Sequence, residues 1–190
     1  MKIEAIHAGR GDFAGLVTDI DLREPLLPED VARIEAGMDR FAVLVFRGPP
    51  ISNEQQIAFT RCFGRLEDAY GVPGDNVQAG RMPNEINDVS NLDRNNQVIP
   101  RDDRHRLFQL GNLLWHSDSS YKTIPAKYSI LSAHAIPTWG GDTEFADLRA
   151  AWDTLDPETQ ALVRDMVCEH SRLHSRGELG FKFTDDEERR

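Results

Sequence analysis

Apolar residues in PEDVARIEAGMDRF (28–41) fall at Val31, Ile34, Met38 and Phe41, three or four positions apart, the spacing of one helical face. Pro28, Glu29 and Asp30 suit the first turn of that helix, where a missing N–H is harmless and negative charge is favoured. AVLVFRG (42–48) is a continuous β-prone run closed by Gly-Pro-Pro, which predicts a buried strand. FAGLVTDI (13–20) reads as a shorter extended segment. Ser52, with Gln55 three positions later, predicts a capping box. The helix it opens, NEQQIAFTRCF, is expected to bury Ile57, Phe59 and Phe63 and to stop at Gly64.

From 65 to about 110 the periodicity is lost, and Gly, Pro, Asn, Asp and Arg dominate. INDVSNL (86–92) is the one strand-like piece. So long a stretch inside a compact domain predicts a lid or substrate loop. Further on, YSILSAHAI (128–136) alternates as a strand, Thr138-Trp139-Gly140-Gly141 turns, and DTEFAD (142–147) forms a second strand. LRAAWDTL and ETQALVRDMVCEH predict two helices, and FTDDEERR is a solvated end. The expected class is mixed α/β, mainly β, in a single domain over 1–190. The Gly-rich turn between neighbouring strands favours an antiparallel scaffold with peripheral helices over a βαβ sandwich.

The chain has 190 residues, enough for one domain with a core, and 28% of them are charged. A formal net charge of −10 argues against a nucleic-acid backbone or an anionic membrane as partner. Two cysteines, Cys62 and Cys168, are too few for a disulfide framework or zinc ribbon and read as small core hydrophobes. The opening MKIEAIHAGRGDF lacks a basic stretch followed by an apolar run, so no signal peptide is expected. No apolar run approaches the roughly 20 residues of a membrane helix. The expectation is a soluble, cytoplasmic protein.

The chemistry concentrates in NLLWHSDSS (112–120). On an extended segment His116 and Asp118, two positions apart, present their side chains to the same face. An imidazole nitrogen and a carboxylate oxygen then reach adjacent corners of one metal, and a further His would complete the 2-His-1-carboxylate set of iron(II) oxygenases. A His-x-Asp pair by itself equally fits a turn in which His116 hydrogen-bonds Asp118. Trp115 reads as core or as a wall of the pocket, and His134 as a core or edge histidine.

Residues 112–155, with Trp-His-x-Asp, a Pro-containing turn, a strand and Gly-Gly-Asp-Thr followed by a helix, resemble the taurine/2,4-D (TauD/TfdA) family of iron(II)- and 2-oxoglutarate-dependent dioxygenases. VLVFRG (43–48) and CFGRLE (62–67) resemble its early Phe-Arg and Phe-Gly elements. WHSDSS and GGDTEFADLRAAWDTL are more similar to the 2,4-D, aryloxyalkanoate branch than to the taurine branch. The resemblance implies a double-stranded β-helix (jelly roll) with peripheral helices. It implies iron(II), Fe(2+), held by His116 and Asp118, with 2-oxoglutarate as co-substrate and O2 as oxidant. It implies that the Thr143 hydroxyl binds a carboxylate oxygen of 2-oxoglutarate, and that Asn112 and Tyr70 contact substrate. The implied partner is a small organic acid, hydroxylated beside its ether oxygen. Relatives commonly assemble as dimers or larger, so a homo-oligomer is expected.

The family's distal His and its following Arg have no match here, so the jelly roll is expected to be incomplete at its C-terminus. His170 and His174, four apart, would share a helix face and offer substitute ligands; the plainer reading is a helix C-terminus stabilised by its dipole. Two other readings stay open. One is a truncated, catalytically incompetent remnant or subunit. The other is a different metal protein, such as a cupin-like isomerase or a zinc hydrolase.

Overall fold

Pro28–Phe41 folds as the helix that its apolar spacing predicts, burying Ile34, Gly37 and Phe41 and ending at Ala42 in the left-handed conformation. The computed structural model describes residues 1–7, 9, 11–67, 80–83 and 85–188. In chain order the elements are β1 (Lys2–Ala5), β2 (Gly15–Thr18), α1 (Pro28–Phe41), β3 (Leu44–Phe46), α2 (Asn53–Arg61), α3 (Arg104–Gln109), α4 (Leu148–Thr154), α5 (Pro157–Val163), α6 (Arg172–Gly177) and α7 (Asp185–Glu188). A short 3-10 turn, Leu110–Leu113, follows α3. The chain divides into two compact units, Met1–Arg65 with Leu131–Val167, and Leu66–Ile130 with Cys168–Arg190.

The first unit is built on a three-stranded sheet in the order β1-β2-β3. β1 pairs antiparallel to β2, whereas β2 pairs parallel to β3, Leu16 opposite Val45. The β2-α1-β3 segment is therefore a parallel crossover, contrary to the expected antiparallel scaffold. A helix between two strands carries the chain back to the end of the sheet at which the first strand began, so the second strand runs the same way. Val17, Ile34, Phe41 and Phe59 form the core, and Phe59 meets Phe46 and Phe63 edge to face at 5.6 and 5.1 Å. The capping box at Ser52 is present in full.

Arg149, at the start of α4, closes this unit. Its guanidinium donates to the carbonyls of Asp39 and Arg40 at 3.0 and 2.9 Å and to that of Asp12 at 3.2 Å. Those are the last carbonyls of α1 and one from the loop before β2, groups a helix end leaves without internal partners. Asp147 caps α4 and grips the same guanidinium at 2.9 Å through each carboxylate oxygen. Its hydrogen bond from Arg149, more than any other cause, holds the Asp147 carboxyl below its ordinary pKa.

The second unit packs Phe108, Phe181 and Phe183 edge to face, with Phe181 at 5.3 Å from Phe108 and 4.8 Å from Phe183. Arg104 lies over the Phe181 ring and Arg176 over the Phe108 ring, 4.6 and 5.0 Å from the centroids. Gly111 admits that arrangement, since a Cβ there would collide with the Arg176 guanidinium. Ile99 and His105 are also buried.

Several sequence expectations are corrected. Neither 128–136 nor 142–147 forms a strand among the described residues. Alternation defines a face, but a strand also requires a neighbour to receive its hydrogen bonds, and that pairing is not encoded locally. Of 86–92 only an isolated bridge, Leu92 to Val98, remains. Of the stretch 65–110, residues 68–79 and 84 lie outside the described residues; in the described part Asp103 caps α3 and a part-buried Arg81–Asp88 ion pair forms at 3.0 Å. Cys62 and Cys168 are exposed rather than core residues. Cys62 caps the end of α2, and α5 stops at Val163, five residues short of Cys168. Among the described residues no helix is long and apolar enough to cross a membrane.

Gly111→Ala is expected to destabilise the fold by about 1–2 kcal/mol, because it displaces Arg176 from the Phe108 ring and from Asn112; urea denaturation measures it. His105 supplies a pH test. Burial lowers its pKa from the ordinary 6.5, with the charges of Asp103 and Asp88 opposing that shift. Below 6.5 the unfolded chain takes up a proton that the folded chain refuses, so stability is full above that pH and falls as the pH drops. A melting series from pH 8 to about pH 5 should show His105→Leu losing less stability on acidification than the parent.

Candidate active site

His116 and Asp118 lie in the second unit, on the irregular segment after the 3-10 turn. His116 Nε2 is 3.2 Å from Asp118 Oδ1, and both side chains are about half exposed. The same-face placement expected from the spacing is therefore found. A hydrogen-bonded turn would show that contact too.

His116 Nδ1 lies 2.7 Å from the Leu114 carbonyl oxygen. A carbonyl can only accept, so Nδ1 carries the proton and a neutral ring presents a bare lone pair at Nε2. That lone pair faces a carboxylate oxygen. Two electron pairs at this distance repel unless a cation sits between them, either a proton on Nε2 or a metal. Asp118 is held in the same manner. Ser129 Oγ donates to Asp118 Oδ2 at 2.6 Å and leaves Oδ1 as the oxygen that faces the imidazole. Each side chain is thus fixed through one polar atom and presents the other. Orienting partners of this kind are what a metal-binding His or carboxylate requires.

The chain leaves the pair through a tight turn. Ser119 has φ 55, and the Lys122 N–H donates to the Ser119 carbonyl at 2.9 Å. Ser119 Oγ donates to Glu67 Oε2 at 2.7 Å, and Lys122 forms an ion pair with Glu67.

Asn112 stands four residues before His116. Its Nδ2 donates to Gln109 Oε1 at 2.7 Å, and its Oδ1 accepts from Arg176 at 3.3 Å. Tyr70 lies outside the described residues. Trp115 is 69% exposed, neither core nor a covered wall, and His134 is exposed as well. The His170–His174 helix face does not form. Ser171 caps α6, so the helix begins at Arg172 and His170 stays outside it. Among the described residues no group of three or more His, Cys, Asp or Glu is placed to hold a metal.

Thr143 belongs to the first unit, where it is exposed on the segment leading into α4. The turn before it uses Gly140 and Gly141 at φ 70 and 77, the left-handed conformation the sequence anticipates for the pair. A Cβ at 141 would also press on the Pro137 ring, 3.2 Å away. That unit has an open cleft lined by Asp12, Phe13, Arg40, Phe145, Asp147 and Arg149, which includes no residue singled out for chemistry.

Sequence reasoning missed Ser129, the Leu114 carbonyl, Glu67 and Lys122. Ser129 was visible only as a polar position in an alternating run, and Glu67 only as the tail of CFGRLE. A carbonyl has no signature in sequence at all.

Residues 6–190 match the profile of the family described as taurine catabolism dioxygenase TauD, TfdA family. The chain is 44% identical over 173 residues to the alpha-ketoglutarate-dependent 2,4-dichlorophenoxyacetate dioxygenase of Cupriavidus pinatubonensis, covering 88% of this chain and 58% of that protein. It is 36% identical over 149 residues to the (S)-phenoxypropionate/alpha-ketoglutarate-dioxygenase of Delftia acidovorans, covering 78% of this chain and 48% of that protein. The crystal structure of AAD-2 in complex with Mn(II) and N-oxalylglycine superposes with a TM-score of 0.86 at 45% identity, covering 100% of this chain and 63% of that one. The chain thus spans about half to three-fifths of the length of these relatives, and it belongs to the TauD, TfdA dioxygenase family.

Proposed function

We propose that the chain carries two of the iron(II) ligands, His116 and Asp118, of a 2-oxoglutarate-dependent dioxygenase that hydroxylates a small aryloxyalkanoate-like acid. The carrying observation is the separation of the two presented atoms. Metal–nitrogen and metal–oxygen bonds of roughly 2.0–2.2 Å at right angles set their donors about 3 Å apart. His116 Nε2 and Asp118 Oδ1 are 3.2 Å apart, with their outer atoms already engaged. Imidazole with carboxylate is a donor set that suits iron(II), and no thiolate lies beside them to favour a softer metal.

The relatives support the rest. Two are named for 2-oxoglutarate-dependent action on phenoxyalkanoates, which favours the catalytic reading over that of an inert remnant. N-oxalylglycine carries the two carboxylates of 2-oxoglutarate with an amide nitrogen in place of a methylene, so its presence beside Mn(II) in AAD-2 supports an oxoacid co-substrate here. Iron(II) in this setting supplies the redox chemistry that couples decarboxylation of 2-oxoglutarate by O2, to succinate and CO2, with insertion of the other oxygen atom into a substrate C–H bond.

The chain's own residues supply geometry. Leu114 and Ser129 hold the imidazole and carboxylate in the orientation a metal needs, before any metal arrives. The Thr143 hydroxyl, at the end of the Gly140-Gly141 turn, is assigned to a carboxylate oxygen of 2-oxoglutarate, and Asn112 and Tyr70 to substrate. The stretch 65–110 is assigned as a lid or substrate loop, and the fold as a jelly roll with peripheral helices. A distal histidine completes the ligand set in this reading.

The test is anaerobic titration of the chain with iron(II) and 2-oxoglutarate. A weak visible charge-transfer band is expected in the parent, absent in His116→Ala, and reached only at about 10-fold higher iron(II) in Ser129→Ala. With O2 and 2,4-dichlorophenoxyacetate present, succinate should form in the parent and not in His116→Ala. A charge-transfer band or a succinate yield in His116→Ala equal to the parent's would overturn the assignment.

A further inference from the structure

We propose that Glu67 is a positioning residue for the metal pair, acting through the turn that follows Asp118; this rests on the ligand reading above. Glu67 lies 52 residues before Ser119 in sequence, at the end of CFGRLE, six residues beyond α2. Its two carboxylate oxygens meet the two ends of one turn. Oε2 accepts from Ser119 Oγ at 2.7 Å, and Oε1 takes the Lys122 ammonium. Ser119 and Lys122 are the first and fourth residues of that turn, closed by the Lys122 N–H to the Ser119 carbonyl at 2.9 Å. One carboxylate therefore fixes the turn's opening and its exit together.

The backbone shows why such a brace is needed. Ser119 sits at φ 55, a conformation that costs a residue other than glycine roughly 1–2 kcal/mol. A strained residue persists only where its surroundings over-determine it. Here the determinants include the turn's own Lys122 N–H to Ser119 carbonyl bond together with the Ser119 hydroxyl bond and the Lys122 ion pair, both to Glu67. The Lys122 and Glu67 side chains are only 17% and 31% exposed, so their attraction is less screened than that of a surface pair. Ser119 directly follows Asp118. Anchoring Ser119 to Glu67 therefore fixes the end of the peptide unit that joins it to Asp118, and so limits the backbone rotation that would carry Oδ1 away from its place 3.2 Å from His116 Nε2. Ser129 holds the Asp118 carboxylate from its far oxygen, and Glu67 holds the backbone that carries it. The two act on different ends of the same side chain.

Ser119→Gly separates positioning from stability. Glycine accepts φ 55 without strain, so the variant should melt at or above the parent temperature, yet it lacks the hydroxyl that reaches Glu67. The probe is Mn(II), redox-inert and followed by its electron paramagnetic resonance signal, titrated into the parent, Ser119→Gly, Glu67→Gln, the double variant and His116→Ala. Expected are about 10-fold weaker binding in each single variant and little further loss in the double, since both changes break one brace. His116→Ala should lose the site. Parent-like Mn(II) affinity in Ser119→Gly and Glu67→Gln, with binding lost in His116→Ala, would overturn the brace and leave the ligand reading standing. A loss confined to variants that also melt early, with Ser119→Gly parent-like in both respects, would mark Glu67 as structural only and likewise end the proposal. Parent-like binding in His116→Ala would remove the ligand reading and the brace with it.

Discussion

The site depends on a division of labour between the two polar atoms of each side chain. In His116 the Nδ1 proton is committed to the Leu114 carbonyl, and in Asp118 one oxygen is committed to Ser129. What remains is the Nε2 atom facing a carboxylate oxygen at 3.2 Å, an arrangement that a proton on Nε2 or a metal between the two atoms satisfies. Without those outer bonds, two half-exposed side chains would be free to turn away from each other into water. Contacts made elsewhere in the second unit thus keep the two atoms facing each other, where a cation can be shared between them.

A carboxylate also organises a neighbouring stretch of backbone in each unit. In the first, Asp147, four residues after Thr143, caps α4 and holds Arg149 against the open end of α1. In the second, Glu67 spans the turn after Asp118. Each unit adds an edge-to-face phenylalanine cluster, Phe46–Phe59–Phe63 in one and Phe108–Phe181–Phe183 in the other. The segments that carry the assigned chemistry are irregular and exposed, so they take their shape from charged side chains tied to backbone groups rather than from burial. The net charge of −10 fits this division, since carboxylates serve here as caps and braces as well as solvated surface.

The sequence by itself determined the locally encoded parts. The α1 helix, its proline start and acidic first turn, and the Ser52 capping box depend on groups within a few positions of one another, and each is found as read. The shared face of His116 and Asp118 and the left-handed Gly140-Gly141 turn are local in the same sense. So is family membership, because it rests on short motifs in fixed order across residues 6–190. Tertiary structure alone decided what depends on distant partners. Sheet pairing made β2 and β3 parallel and left 128–136 and 142–147 without a ladder. Cys62 and Cys168 came to the surface because their helices ended short of them, and a cap at Ser171 kept His170 out of α6. Ser129 reaches Asp118 from 11 residues away, and Glu67 reaches Ser119, in the turn that follows, from 52. Periodicity and capping act over three or four residues, whereas which carboxylate meets which hydroxyl is settled only when the folded chain brings them within 3 Å.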